Sequence, residues 1–269
     1  MAGHLPRTLF HSSPVPAYYR GMSDEDLTRL AIEELLAAVE SRDLRKVECA
    51  LHPDAVWQNV PHAPAAGRES VIQMLASIIC WSDKVQWDVL SASVKGDTGW
   101  YERLDRFWID GAEYAVPCNG VFRVDPTTRT VCALRDYVDL GEWRSSVAAV
   151  MTRLKNRLPA EVVTHHLEAV TDADPIAMAA DYAYDASLQR GNERHEGWAA
   201  IVDYFDTVPA RLAGRAIAFG SIEAVSADQA RVGWHISGAG MAPVTGADIF
   251  TVSMGRITHQ LTELPGSDF

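Results

Sequence analysis

The chain has 269 residues, 48% hydrophobic and 22% charged, with 36 acidic side chains against 24 basic ones for a formal net charge of -12. This length suits two ordinary domains or one large one, and the composition is that of a globular protein able to bury real cores. The acidic balance argues against nonspecific attraction to nucleic acid or anionic membranes, which need basic surface, and favours a neutral or modestly polar substrate.

No run approaches the roughly 20 apolar residues that span a bilayer. Cys49, Cys80, Cys118 and Cys132 show no CxxC or Cys/His spacing, which predicts free thiols, no metal and a reducing, cytoplasmic setting. A Gly-rich phosphate loop, a GxSxG elbow and an HExxH pair are all missing from the sequence.

Residues 1–22, with Pro6, Pro14 and Pro16, read as an N-terminal tail without the apolar core of a secretion signal, and Met22 is an alternative start. Regular structure is expected from Ser23, where a capping-box-like start precedes Leu27, Leu30, Ala31, Leu35 and Val39 at helical spacing. A short helix over 44–51 and a strand over 55–60 follow, then a loop rich in Pro and Ala and an amphipathic helix over 69–81. Strands are predicted near 85–95, 100–109, 113–124 and 129–140, the last after the turn Asp125-Pro126-Thr127-Thr128. Residues 141–159 are helical in pattern and basic, and read as a solvated connecting helix.

After Pro159 the order returns. A helix over 160–170 leads to one opened by Asp174 and Pro175, then a strand over 182–188, a helix over 198–205, and strands near Ile217, Arg231, Ala247 and Ile257. Matching Asp54 to Asn59 with Asp181 to Ala186 offsets the halves by about 127 residues, which an internal duplication explains. The expected fold is α+β, with domains over 23–140 and 160–269, each a curved, mostly antiparallel sheet wrapped around helices. Such a cone makes a deep apolar site.

Three charges interrupt the strands. Arg103 and Asp105 lie between Tyr101 and Phe107 on one strand face, and Asp136 sits in the row Cys132, Leu134, Val138. A buried carboxylate must be paired, protonated or both. Two carboxylates sharing one arginine suit an acid and base pair, although Arg103 with Asp105 can also be a structural ion pair and Asp136 can face solvent if the register slips.

The first half resembles the limonene-1,2-epoxide hydrolase family, within the NTF2-like or SnoaL-like group of cone-shaped folds. The resemblance rests on Trp57-Gln58-Asn59-Val60-Pro61, Gly67-Arg68-Glu69-Ser70-Val71-Ile72, Arg103-Leu104-Asp105, Asn119-Gly120-Val121-Phe122 and Arg135-Asp136-Tyr137-Val138-Asp139-Leu140, in family order across about 120 residues. It implies a one-step, cofactor-free hydrolysis of a hydrophobic epoxide to a vicinal diol. Asp136 matches the base that activates water, Asn59 a holder of that water, Asp105 the acid at the epoxide oxygen and Arg103 the bridge between them. Where the family has a tyrosine this chain has Trp57, which donates a hydrogen bond but accepts none. Trp57, Tyr101, Phe107, Leu134 and Val138 are the expected walls; Asn59 can equally satisfy the turn before Pro61.

On the repeat alignment Arg103 falls on Arg231, Asp105 near Gly233, Asn59 on Ala186, Trp57 on Tyr184 and Asp136 on Thr262, so no acid and base pair recurs. Asp185, His195, His235, Asp248 and Glu263 remain as material for some other site, but the second half reads best as a non-catalytic pseudo-dimer partner, with homo-oligomers open. Fusion makes pairing through sheets, common among single-domain relatives, intramolecular. Competing readings are an epoxide-opening or polyketide cyclase of SnoaL-like type, and a carrier of an apolar ligand.

Overall fold

Ser23 caps the first helix as its sequence suggests, accepting from the Asp26 amide while the Asp26 carboxylate accepts from the Ser23 amide. The computed structural model describes residues 21–238 and 240–264. Apart from Gly21 and Met22, the tail expected over 1–22 lies outside them. In chain order the elements are α1 (Asp24–Glu40), α2 (Leu44–Ala50), β1 (Leu51–Val60), β2 (Ala65–Ala66), α3 (Arg68–Ile79), β3 (Lys84–Lys95), β4 (Thr98–Ile109), β5 (Ala112–Val124), β6 (Val131–Val138) and α4 (Leu140–Lys155). The series repeats as α5 (Pro159–Asp172), α6 (Pro175–Ala180), β7 (Tyr182–Arg190), β8 (Glu193–Glu196), α7 (Trp198–Leu212), β9 (Ala216–Ala224), β10 (Gln229–Gly238), β11 (Met241–Ser253) and β12 (Arg256–Glu263).

Two six-stranded sheets result, ordered β2-β1-β6-β5-β4-β3 and β8-β7-β12-β11-β10-β9. Among the described residues, only β1 with β6 and β7 with β12 pair in parallel. The two-residue β2, within the stretch expected as a Pro- and Ala-rich loop, and the four-residue β8 are short edge strands held by β1 and β7. Along β4 every odd residue from Gly99 to Ile109 is buried and the even ones are less so, which is the period-two signature of a sheet with one face on a core. Ile32, Leu35 and Val39 of α1 and Val71, Ile72 and Leu75 of α3 fill that concave face.

The halves meet through helices and strand ends. Arg45 of α2 reaches Asp203 and Asp206 of α7, and the Tyr184 hydroxyl donates to Glu69 of α3 at 3.2 Å. The guanidinium of Arg256 lies 3.7 Å from the centre of the Trp81 ring, a partly desolvated cation–π contact, and Arg157 donates both to Asp181 and to the Gly255 carbonyl. This corrects the expected sheet-to-sheet pairing: the outer face of the first sheet is open to solvent, with Trp100 45% and Tyr137 48% exposed.

Gly255, in the turn between β11 and β12, has φ +68°, and a Cβ there would stand 1.9 Å from the Leu154 carbonyl oxygen at the end of α4. Gly255→Ala is therefore expected to destabilise the protein by more than about 2 kcal/mol, from left-handed backbone strain and a backbone clash together. Urea unfolding measures this, and a loss under about 0.5 kcal/mol would contradict the tight seat of α4 on this turn.

Candidate active site

Backbone register brings the predicted residues together. Arg103 pairs with Cys118, Asp105 with Val116 and Trp87, Gly120 with Asp136, and Asn59 with Asp136 across β1 and β6. Paired residues share a face, so Trp57, Asn59, Trp87, Arg103, Asp105, Cys118, Gly120 and Asp136 all project to the concave side. Arg103 Nε and Nη2 donate to the two oxygens of Asp105, each at 3.0 Å, and Nη2 also donates to Asp136 Oδ1 at 3.1 Å and lies 3.4 Å from Cys118 Sγ. Trp57 Nε1 donates to Asp136 Oδ2 at 3.0 Å. The indole is thus a direct partner of the carboxylate as well as a wall.

All three charged groups are withdrawn from water: Arg103 is 0% exposed, Asp136 4% and Asp105 6%. The Trp87 ring lies 4.7 Å and the Phe122 ring 5.3 Å from the guanidinium carbon. Burial works against the arginine's charge, but Asp136 and Asp105 more than offset it, so its pKa lies above the ordinary arginine value. Burial also lifts Asp105 above the usual carboxylate range; Arg103 opposes the rise, while Asp136 and Glu40 add to it. Burial pushes the Cys118 thiol far up as well, so it is no nucleophile at neutral pH. Arg103 Nη1 is buried without a hydrogen-bond partner.

A cavity of about 410 Å³ opens over this cluster, with Asp105, Asp136 and Cys118 at its polar end and Trp57, Trp87, Phe107, Val116, Val138, Leu75 and Ile78 among its walls. Of the expected site residues, Trp57, Asn59, Asp105, Phe107, Asp136 and Val138 line it. Asn59 donates to Met74 Sδ at 3.7 Å rather than to Asp136. Two expected walls do not line it. Tyr101, though on the same face, lies beyond Arg103 with its ring against Phe122 at 5.3 Å, and Leu134 is packed with Leu51, Ala55, Val71 and Val131 where β1 and β6 meet α3. Period two assigns a face but not a position along the cone.

Sequence reasoning missed α4. Far from being a solvated connector, it lays Leu140, Trp143, Arg144, Val147, Met151 and Lys155 on the cavity, and Trp143 meets Phe107 at 5.0 Å between ring centres. The i, i+3, i+4 spacing of its apolar residues was the available signal; it identifies a buried stripe but not the surface that stripe covers.

The second half diverges further than the repeat alignment implied. The amide of Gly67 donates to Ala55 and that of Gly197 to Ala186, and the matching bulges and strand pairings equate Trp57 with Leu188, Asn59 with Arg190, Arg103 with Trp234, Asp105 with Ile236, Gly120 with Asp248 and Asp136 with Thr262. The early match of Asp54 with Asp181 was four residues out because the strand bulges hide the true register. Asp248 is buried and accepts from the Thr262 hydroxyl at 2.6 Å, Arg190 lies 5.3 Å from the Trp234 ring, and the space beside them is only about 50 Å³. Asp185, His235 and Glu263 are exposed and do not join this cluster. His165 and His166 diverge as neighbours on a helix must, one to Asp181 at 2.7 Å and the other to the Met178 carbonyl at 3.1 Å. No group of His, Cys, Asp and Glu suited to a metal ion occurs among the described residues.

A six-stranded cone with one parallel pair, closed by helices over a polar end, occurs twice in this chain, and only the first copy holds the charged trio. A sequence model of the SnoaL-like domain matches residues 32–127 and again 163–260, and the chain belongs to the SnoaL-like domain family in two copies. Among solved structures, an LEH-like epoxide hydrolase of M. tuberculosis is 22% identical, with TM-score 0.42 over 48% of this chain and 91% of its own. A protein described as a SnoaL-like polyketide cyclase, from Shewanella denitrificans OS-217, is 14% identical with TM-score 0.40, over 46% of this chain and 97% of its own. Another so described, from Jannaschia sp. CCS1, is 16% identical with TM-score 0.42, over 48% and 96%.

Gly120 makes room for the trio. A Cβ there would lie 2.5 Å from Arg103 Nη1 and 2.9 Å from Asp136 Oδ1, so Gly120→Ala must push the guanidinium off its partners. The expected loss is about 1–3 kcal/mol, read from the urea midpoint. An unchanged midpoint would mean that the guanidinium is not held where the structure places it.

Proposed function

We propose that the first half opens an epoxide on an apolar small molecule, adding water to give a vicinal diol. The reading rests on one observation: a single buried guanidinium donates to two buried carboxylates at the polar end of an apolar cavity. Asp136 takes a proton from water as the water oxygen bonds to an epoxide carbon; the carbon–oxygen bond breaks, and Asp105, whose pKa burial raises, gives its proton to the departing oxygen. Arg103 holds both carboxyls in register, and the charge passing from one carboxyl to the other remains within its reach. The motif resemblance of the first half assigns these residues the same roles.

A second reading has an observation of its own. Trp57 takes up one oxygen of Asp136 and offers no acceptor, and Asn59 is turned to Met74, so the side chains that would steer a water are committed elsewhere. A hydroxyl or carbon acid of the substrate itself can then be what Asp136 deprotonates, and the product is a ring.

Turnover in ¹⁸O-water separates the two, since a diol carries solvent oxygen and an internally closed ring does not. Asp136→Asn and Asp105→Asn are each expected to lower kcat by about 10²–10⁴-fold with the circular dichroism of the wild type. A folded variant of either kind within tenfold of wild type would remove that residue from the chemistry, and ligand binding without turnover of any epoxide would favour a carrier.

A pH dependence follows from Asp105. A step that needs its proton fades as pH rises through its raised pKa, and Glu40 contributes to that rise. Glu40→Gln is expected to move the alkaline limb of kcat/KM to lower pH. An unmoved or upward-shifted limb would mean that the limb belongs to another group.

A further inference from the structure

The cavity face of α4 carries an unexplained charge. Between its apolar residues it places Arg144 and Lys155 on the cavity, eleven residues apart, which is three turns plus about 20° and roughly 16 Å along one stripe. An acid three or four residues away would give a helical cation a stabilising partner. Arg144 has Leu140, Gly141, Val147 and Ala148 there, and Lys155 is preceded by Met151 and Thr152. Among the described residues neither makes an ion pair, whereas Arg153 on the same helix is tied to Asp110 and Arg157 just beyond it to Asp181.

Helix stability does not account for the pair either. Lys155 lies in the last turn, where a cation suits the helix dipole. Arg144 lies near the N-terminal end, where a cation gains nothing from it and is mildly disfavoured. Apart from the two carboxyls bound to Arg103, the cavity lining contains no acid among the described residues. In a chain of net charge -12 the lining thus carries two cations without an ion-pair partner, and Glu142, two residues before Arg144, points about 200° away around α4 and is not part of that lining.

We propose that the substrate is an amphipathic anion: an apolar epoxide bearing a carboxylate, its ring directed to Arg103, Asp105 and Asp136 and its carboxylate held at the entrance by Arg144, with Lys155 extending the basic rim. The ring's fate rests on the ring-opening reading above, but the selection of an anion does not. A guanidinium suits the carboxylate because it meets both oxygens at once. Trp143, Val147 and Met151 on the same helix line the cavity with apolar surface for the uncharged part of the molecule.

The test uses the full chain with 9,10-epoxydecanoate and 9,10-epoxydecan-1-ol, which differ at the far end only. Wild type is expected to prefer the acid in kcat/KM, and that acid-to-alcohol ratio should fall about fivefold in Arg144→Gln and further in the double variant with Lys155→Gln. Arg144→Lys should restore part of the ratio, and raised salt should shrink it in the wild type. Independently of turnover, quenching of the cavity tryptophans should give tighter binding of decanoate than of 1-decanol, and the double variant should lose that preference. Equal handling of acid and alcohol by the wild type, or a ratio unmoved in the double variant, overturns the inference. A decanoate preference lost with Arg144 in a protein that hydrolyses neither epoxide upholds it and rejects the hydrolase reading instead.

Discussion

The first half is organised around a charge that water does not reach. Removing an ammonium- or guanidinium-sized ion from solvent costs several kcal/mol even after relaxation, and close carboxylates offset this only when geometry is good. Arg103 obtains that geometry from both edges of its fork, with Asp105 beside it on β4 and Asp136 delivered from β6 across the width of β5. The demand spreads outward: residue 120 must be glycine to admit Nη1, Trp87 and Phe122 supply ring faces, and Trp57 takes the remaining oxygen of Asp136.

The second half shows the same scaffold with its buried charges rearranged, Arg190 standing where Asn59 would be, beside Asp248. Trp234 stands where Arg103 would be, and Asp248 fills the space that Gly120 leaves open. The concave end closes on Tyr204, Phe205 and Phe219 around a space of about 50 Å³. Strand order, bulges and the parallel pair survive intact. The fold therefore does not need this particular trio, since the second copy buries Arg190 and Asp248 at the same end instead.

Helix α4 ties the duplication to the site. It follows β6 directly, roofs the first cavity, and ends against the turn of Gly255 in the second half. Arg157 just beyond it and Arg256 of the second half both lie against Trp81 of the first. The junction between repeats is thus also a wall of the cavity, so the second half holds in place an element that lines it.

Much was legible in the chain itself. The alternation along residues 99–109 requires one buried face, and Arg103 and Asp105 within it require a partner charge, because neither can be buried alone. Capping at Ser23 and Asp174 and the recurrence after Pro159 mark the elements and their doubling. What alternation leaves open is depth: Tyr101 and Leu134 share the face of the trio yet lie away from the cavity, because helices fill one end of the cone and not the other. Register across the repeat was likewise hidden, since a bulge shifts pairing without marking the sequence. The role of α4 depended on packing, for a stripe of Trp143, Val147 and Met151 states that something is covered and not what. Local periodicity and the energetic penalty on buried charge determined which residues must meet; only the tertiary structure decided where they meet, with what depth of cavity, and under which helix, because those follow from contacts between segments far apart in the chain.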